Sequence, residues 1–136
     1  MEIIFSNDAK CAEFLDKGLD IFNAAHAKPS ENKPFGFYAV ENGKTVGGVS
    51  GTLNVGYWTK VDLLYVDDKF RGRDIGTMLM DKVEEFARAN ACIGIHLSTQ
   101  EWQAKGFYEK NGFSVFGILD NHPSAGLKRY YLQKQF

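Results

Sequence analysis

The sequence predicts a mixed α/β fold, with a mostly antiparallel central sheet of about six to seven strands and helices on both faces. Three observations lead there. Stretches rich in β-branched and aromatic residues recur along the chain, divided by turns containing Gly, Asn or Asp. Apolar residues at helical spacing interrupt them twice, at Cys11, Leu15, Leu19 and Phe22 and again at Ile75, Leu79, Val83 and Phe86. The early strands are joined by short turns and so pair antiparallel. The second helix stands between two strands and implies a crossover, which makes the sheet mixed.

In chain order, Ile3 to Phe5 makes a short first strand. Ser6-Asn7-Asp8 then offers side-chain oxygens that can cap the first helix. Ala24 to Pro34 is polar, holds two prolines and reads as a loop. Phe35 to Val40 is a strand, Glu41 to Lys44 a hairpin turn, and Val46 to Leu53 the returning strand. Gly47, Gly48 and Gly51 thin that strand and suggest a bulge or a close backbone approach. Asn54 to Trp58 turns the chain into a strand at 59–66, and the helix from Ile75 ends near Asn90. Ile93 to Leu97 is a strand and Gln100 to Lys110 a short helix. Phe113 to Leu119 and Lys128 to Lys134 are the last strands, with a loop at 120–126.

A chain of 136 residues predicts one domain, 1–136, with a single core. The residues are 44% hydrophobic and 24% charged, with a formal net charge of −1. That balance argues against a nucleic-acid partner or an anionic membrane surface, either of which would call for a basic excess. No apolar run approaches a membrane span, and Met1-Glu2-Ile3-Ile4-Phe5 lacks the features of a signal peptide, so a cytoplasmic protein is expected. Cys11 and Cys92 read as small core residues inside predicted elements. His26, His96 and His122 share no ligand spacing with each other or with a cysteine, so no metal is expected.

The chemistry concentrates in one junction. Val61-Asp62-Leu63-Leu64-Tyr65-Val66 reads as a strand, and Arg71-Gly72-Arg73-Asp74 leads from it into the helix at Ile75. A strand, a basic glycine-containing loop and a helix start together aim free N–H groups at one spot, backed by the helix dipole. Such a spot suits a phosphate or pyrophosphate. The alternative is an ordinary connection carrying surface arginines. There is no Gly-Lys-Ser/Thr ending of a P-loop, and the glycines lack dinucleotide-fingerprint spacing.

This stretch resembles motif A of the GNAT superfamily, the acetyl-CoA-dependent N-acetyltransferases. That motif runs Arg or Gln, two residues, Gly, one residue, then Gly or Ala. Arg71 and Gly76 match its ends, and Asp74 stands at the middle glycine. Ala104, Phe107-Tyr108, Glu109-Lys110 and Gly112-Phe113 resemble the second GNAT signature, a helix ending in Tyr-Glu-Lys-x-Gly-Phe. Glu101 stands where many members carry an asparagine beside pantetheine.

The resemblance implies acetyl transfer from acetyl-CoA, with no metal, to the primary amine of a small molecule by direct attack. It places the pyrophosphate on Arg71, Gly72, Arg73, Asp74, Ile75, Gly76 and Thr77, and pantetheine along Tyr65 and Val66 near Glu101. It gives Tyr108 the role of acid at the departing sulfur. The alternative for Tyr108 is a core aromatic with a bonded hydroxyl. Asp62 is an acid within an apolar strand, and strict alternation sets it on one face with Leu64 and Val66. There it would orient the amine or relay its proton, or else pair with Lys60 or Lys128. Tyr57, Trp58 and Trp102 would line an acceptor pocket or serve the core. The competing function is a non-catalytic acyl-CoA sensor or interaction domain. Assembly, with a homodimer among the candidates, leaves no readable signal.

Overall fold

The computed structural model describes residues 1–136. Helix α1 spans Ala9–Asn23 and is followed by strands β1 (Asn32–Glu41), β2 (Lys44–Asn54) and β3 (Trp58–Val66). Helix α2 (Ile75–Ala89), strand β4 (Gly94–Gln100), helix α3 (Lys105–Lys110) and strands β5 (Ser114–Asp120) and β6 (Lys128–Gln135) complete the chain. One six-stranded sheet has the order β1-β2-β3-β4-β6-β5. Only β3 and β4 pair in parallel, and α2 makes the crossover between them. No helix is long and apolar enough to cross a membrane.

The core lies between one face of the sheet and α2. Leu79, Met80, Val83 and Ala87 form the buried stripe of that helix. They meet Val49, Leu53, Val61, Ile95, Leu97 and Leu132, with Tyr108 and Phe113 at one end. The Phe86 ring closes the opposite side against Phe35 and Phe37, at 5.6 and 5.9 Å. Each such buried side chain contributes roughly 1.5–3 kcal/mol, so this face supplies most of the stability.

Three expectations are corrected. Ile3 to Phe5 forms no strand, since no neighbouring strand reaches it and all three residues stay exposed. The Asp8 carboxylate caps α1 by accepting from the Lys10 N–H at 2.9 Å, yet no residue of that helix is buried, Cys11 included. α2 and α3 share one face through common core partners, so within one chain the second face of the sheet carries no helix. β1 also begins earlier than its apolar run, at Asn32. It is an edge strand, where the missing N–H of Pro34 breaks no ladder.

The register of β3 matters most for function. Ser50 opposes Leu63 and Gly51 opposes Val61, so Asp62 is an extra residue in a β-bulge. A Cβ on Gly51 would collide with the Lys60 carbonyl, which explains a glycine at this crossing. The bulge reverses the alternation. Val61, Leu64 and Val66 share the α2 face, while Leu63 and Tyr65 take the other, contrary to strict period two. Pairing of β3 with β4 stops at Lys60 and His96, just before the bulge. Beyond that point the strands part.

Candidate active site

A cleft of about 1030 Å³ opens where β3 and β4 separate. Residues 62–66 form one wall, the loop and first turn of α2 a second, and the end of β4 with α3 the third. Because β4 has left, the edge of β3 past Lys60 has no strand to pair with.

The first turn of α2 supplies donors. Asp74 takes a left-handed backbone, φ 59°, and its side chain makes no capping bond. The N–H groups of Ile75, Gly76 and Thr77 accordingly find no main-chain or capping partner. A glycine would suit that backbone best, and aspartate is among the few other residues that tolerate it. A Cβ on Gly76 would lie 3.1 Å from the Phe107 ring, so the absent side chain lets α2 and α3 touch across the cleft.

The two loop arginines have different duties. Arg71 lines the cleft, donates from Nε to the Val66 carbonyl at 3.0 Å and pairs with Asp68 at 2.6 Å. Arg73 is absent from the wall and binds both oxygens of Glu41 at 2.6 and 3.1 Å. That fork raises the Arg73 pKa and lowers that of the Glu41 carboxyl. The cleft gains Lys110 instead, on the turn of α3, which the sequence reading passed over. Its signal was available, since the helix that carries Tyr108 ends in Lys110.

Glu101 also lies outside the wall, with its N–H bonded to the Lys128 carbonyl at 2.9 Å. Gln103 takes the inner position. Its Oε1 accepts from the Gln100 N–H at 2.7 Å and meets Thr99 Oγ1 at 3.2 Å. Tyr65 and Val66 line the cleft, as do Gly72 and Asp74 to Thr77. Trp102 stands at the wall, the Tyr57 hydroxyl donates to the Lys28 carbonyl, and Trp58 meets His96 edge-on at 5.9 Å.

Tyr108 lies in the wall and is buried, packed against Phe107 and Phe113 at 5.2 and 5.7 Å. Burial pushes its hydroxyl up to about 12, and no side-chain hydrogen bond contributes. The group is a proton carrier throughout the physiological range. Asp62 also borders the cleft, half exposed, with Lys60 Nζ at 3.5 Å. The bulge lets a carboxylate sit in an apolar strand without burial. His96 lies across from this pair, and desolvation lowers its pKa, reinforced by Lys60 and partly offset by Asp62.

Comparison with known proteins adds identity to this geometry. Residues 4–113 match the model of the acetyltransferase (GNAT) family. A blasticidin-S acetyltransferase of Streptomyces morookaense is 34% identical over 110 residues, covering 77% of this chain and 79% of that one. The crystal structure of an acetyltransferase from Bacillus cereus superposes with TM-score 0.90 at 24% identity, over 100% of this chain and 99% of that one. So high a score over the whole length requires the N-terminal arm of both chains to lie in the same place. An aminoglycoside 6'-N-acetyltransferase complexed with coenzyme A superposes with TM-score 0.68 at 19% identity, covering 75% of this chain and 72% of that one. The chain belongs to the acetyltransferase (GNAT) family and is an acyltransferase.

Proposed function

We propose that the chain transfers the acetyl group of acetyl-CoA to a primary amine of a small molecule by direct attack in this cleft. One observation carries the reading: a single cleft joins unpaired helix-start N–H groups, an unpaired strand edge and a buried, protonated tyrosine. Each matches one part of the donor. A pyrophosphate suits the turn from Asp74 to Thr77, with Arg71 and Lys110 adding positive charge. An extended amide-bearing arm suits the strandless edge of β3 beside Tyr65 and Val66, where only the Val66 carbonyl is already met by Arg71, as an added strand would. The names of the similar proteins favour a small-molecule acceptor, since blasticidin-S and an aminoglycoside are small molecules.

In the reaction the amine nitrogen attacks the thioester carbonyl, an N–C bond forms, and the C–S bond breaks. The amine must lose a proton, and the thiolate gains one. Asp62 is suited to orient the ammonium and pass its proton through water, because it borders the cleft and reaches solvent. Tyr108 faces the leaving sulfur in this reading. A hydroxyl pushed up to about 12 is a weaker acid than a thiol near 8.5. Complete transfer from Tyr108 would therefore be uphill by roughly 5 kcal/mol. Its role is donation of a hydrogen bond to the developing thiolate, with the final proton drawn from solvent or the amine.

The test is thiol release from acetyl-CoA across a panel of small amines, blasticidin S and aminoglycosides included. Release that depends on an amine, with stoichiometric amide product, is expected. Tight acetyl-CoA binding with no release for any small amine, together with acetylation of a protein N-terminus or lysine, would overturn the small-molecule acceptor.

A further inference from the structure

The surface of this chain is too large for a monomer of its mass. It exposes 9714 Å², against about 7,100 Å² expected for a compact 15.3 kDa protein, an excess of about 2,600 Å². Two surfaces account for it. One is the N-terminal arm, Met1–Asn23, whose Phe14, Leu15, Leu19, Ile21 and Phe22 are all exposed on α1. Ile3, Ile4 and Phe5 stand equally bare before it. The other is the helix-free face of the sheet. There Gly48 and Ser50 floor a shallow groove of about 350 Å³, flanked by Tyr38 on one side and Leu63 and Tyr65 on the other. Tyr38, Leu63 and Tyr65 are 72%, 71% and 61% exposed. Monomeric proteins rarely leave apolar patches of this extent open.

An amphipathic helix without a sheet and a sheet without its second helix are complementary surfaces. The link between them decides which copy supplies which. Ala24 and Ala27 continue the helical bonding of α1, donating to the Asp20 and Asn23 carbonyls. From Lys28 the chain is fastened to the β2–β3 turn. Tyr57 donates to the Lys28 carbonyl at 2.7 Å, Ser30 Oγ to the Val55 carbonyl at 2.7 Å, and the Val55 N–H to the Glu31 carbonyl at 3.0 Å. This fastening fixes the root of the arm at the β2–β3 turn, and α1 leaves that root with none of its residues buried on its own chain. A second copy can meet α1 with this root unchanged, and the Bacillus cereus chain carries its arm in the same place.

We propose that two copies exchange arms, each laying the apolar stripe of α1 across the bare sheet face of the other. The arrangement is isologous, so one twofold axis satisfies both arms. It removes the excess area from both chains, about 5,000 Å² in all, the size of an obligate homodimer interface. It also gives Ile3 to Phe5 access to the open outer edge of β1, the sheet's first strand. Leu63 and Tyr65 line both the groove and the cleft, so the partner's arm forms part of the cleft rim. This last point rests on the reading of the cleft as the active site; the assembly itself does not.

The experiment reads mass and connectivity without activity. Sedimentation of the full chain at micromolar concentration should give about 31 kDa, twice 15.3 kDa. Chains of two isotopic labels, unfolded together and refolded, are then treated with an amine cross-linker. Peptides joining Lys10 or Lys17 of the arm to Lys60 of the sheet should be about half mixed in label, the random-pairing value for a twofold exchange. A monomer mass overturns the proposal. So does a dimer whose arm-to-sheet links are absent or never mixed. L15D/L19D should shift the mass to the monomer while the wild-type cross-links stand on their own.

Discussion

The Arg73 guanidinium takes both carboxylate oxygens of Glu41, at 2.6 and 3.1 Å, and ties the loop before α2 to the end of β1. A basic residue of the loop proposed to hold the pyrophosphate is thereby engaged by a carboxylate of the chain itself.

Arg71 and Arg73 should therefore separate on titration with coenzyme A. Arg71→Ala is expected to raise Kd about tenfold, the loss of one charge-assisted contact. Arg73→Ala should change it less than about threefold, and Glu41→Gln should tighten binding by freeing the guanidinium. Calorimetry gives all three values. Equal losses for the two arginines would place Arg73 on the ligand.

Asp74 combines a left-handed backbone with a negative charge at the mouth of a proposed anion site. Asp74→Gly should stabilise the fold by about 0.5–1 kcal/mol and lower the Kd for coenzyme A severalfold. Asp74→Ala removes the same charge and worsens the backbone, so it should tighten binding yet lower Tm. Thermal melts beside binding curves distinguish strain from charge. A parallel change in both variants would mean that backbone conformation is irrelevant here.

Tyr108→Phe should lower kcat by about 10- to 100-fold, with coenzyme A affinity unchanged, because a hydrogen bond and no full proton transfer is lost. A second signature is independent of turnover. The folded-state pKa is raised, to about 12 from an ordinary 10, so its contribution is complete below pH 10 and lost as pH climbs to 12. Across that window wild type should lose roughly 2–3 kcal/mol relative to Tyr108→Phe in denaturant unfolding. Parallel stability curves for the two proteins would show that the hydroxyl is solvated in the fold.

Gly51→Ala forces a methyl against the Lys60 carbonyl and within 2.9 Å of the Phe35 ring. Backbone cannot yield as a side-chain tip can, so a loss above about 2 kcal/mol is expected. Gly106→Ala on the exposed side of α3 has open space around it and should gain up to about 1 kcal/mol. Chemical unfolding of both variants makes the comparison. A neutral Gly51→Ala would mean that β2 and β3 shift register freely.

What was legible in the sequence is what is local. The stripe Ile75, Leu79, Val83, Phe86 became α2, and Gly112 ends α3 with φ 90° as its place after the helix suggested. A cap was readable within Ser6-Asn7-Asp8, and Asp8 is the one of the three that takes it. The rest depends on partners far along the chain. Glu41 captures Arg73 across 32 residues, and no spacing rule announces such a pair. Alternation along β3 looked unbroken because a bulge is set by the opposing strand, where Ser50 and Gly51 skip Asp62. Ile3 to Phe5 has the composition of a strand, but a strand exists only beside another. For α1 the stripe was visible while its resting place was not, since amphipathicity names a face and never the surface that meets it.

The bulge has one more consequence. Asp62 is supernumerary: without it, Val61, Leu63, Leu64, Tyr65 and Val66 alternate perfectly, each on the face it already holds. A chain with Asp62 deleted would lose no core contact and invert no side chain. It would lose only the swerve by which β3 leaves β4, together with the carboxylate that rides on it. The residue that bends this strand is separate from the residues that pack it.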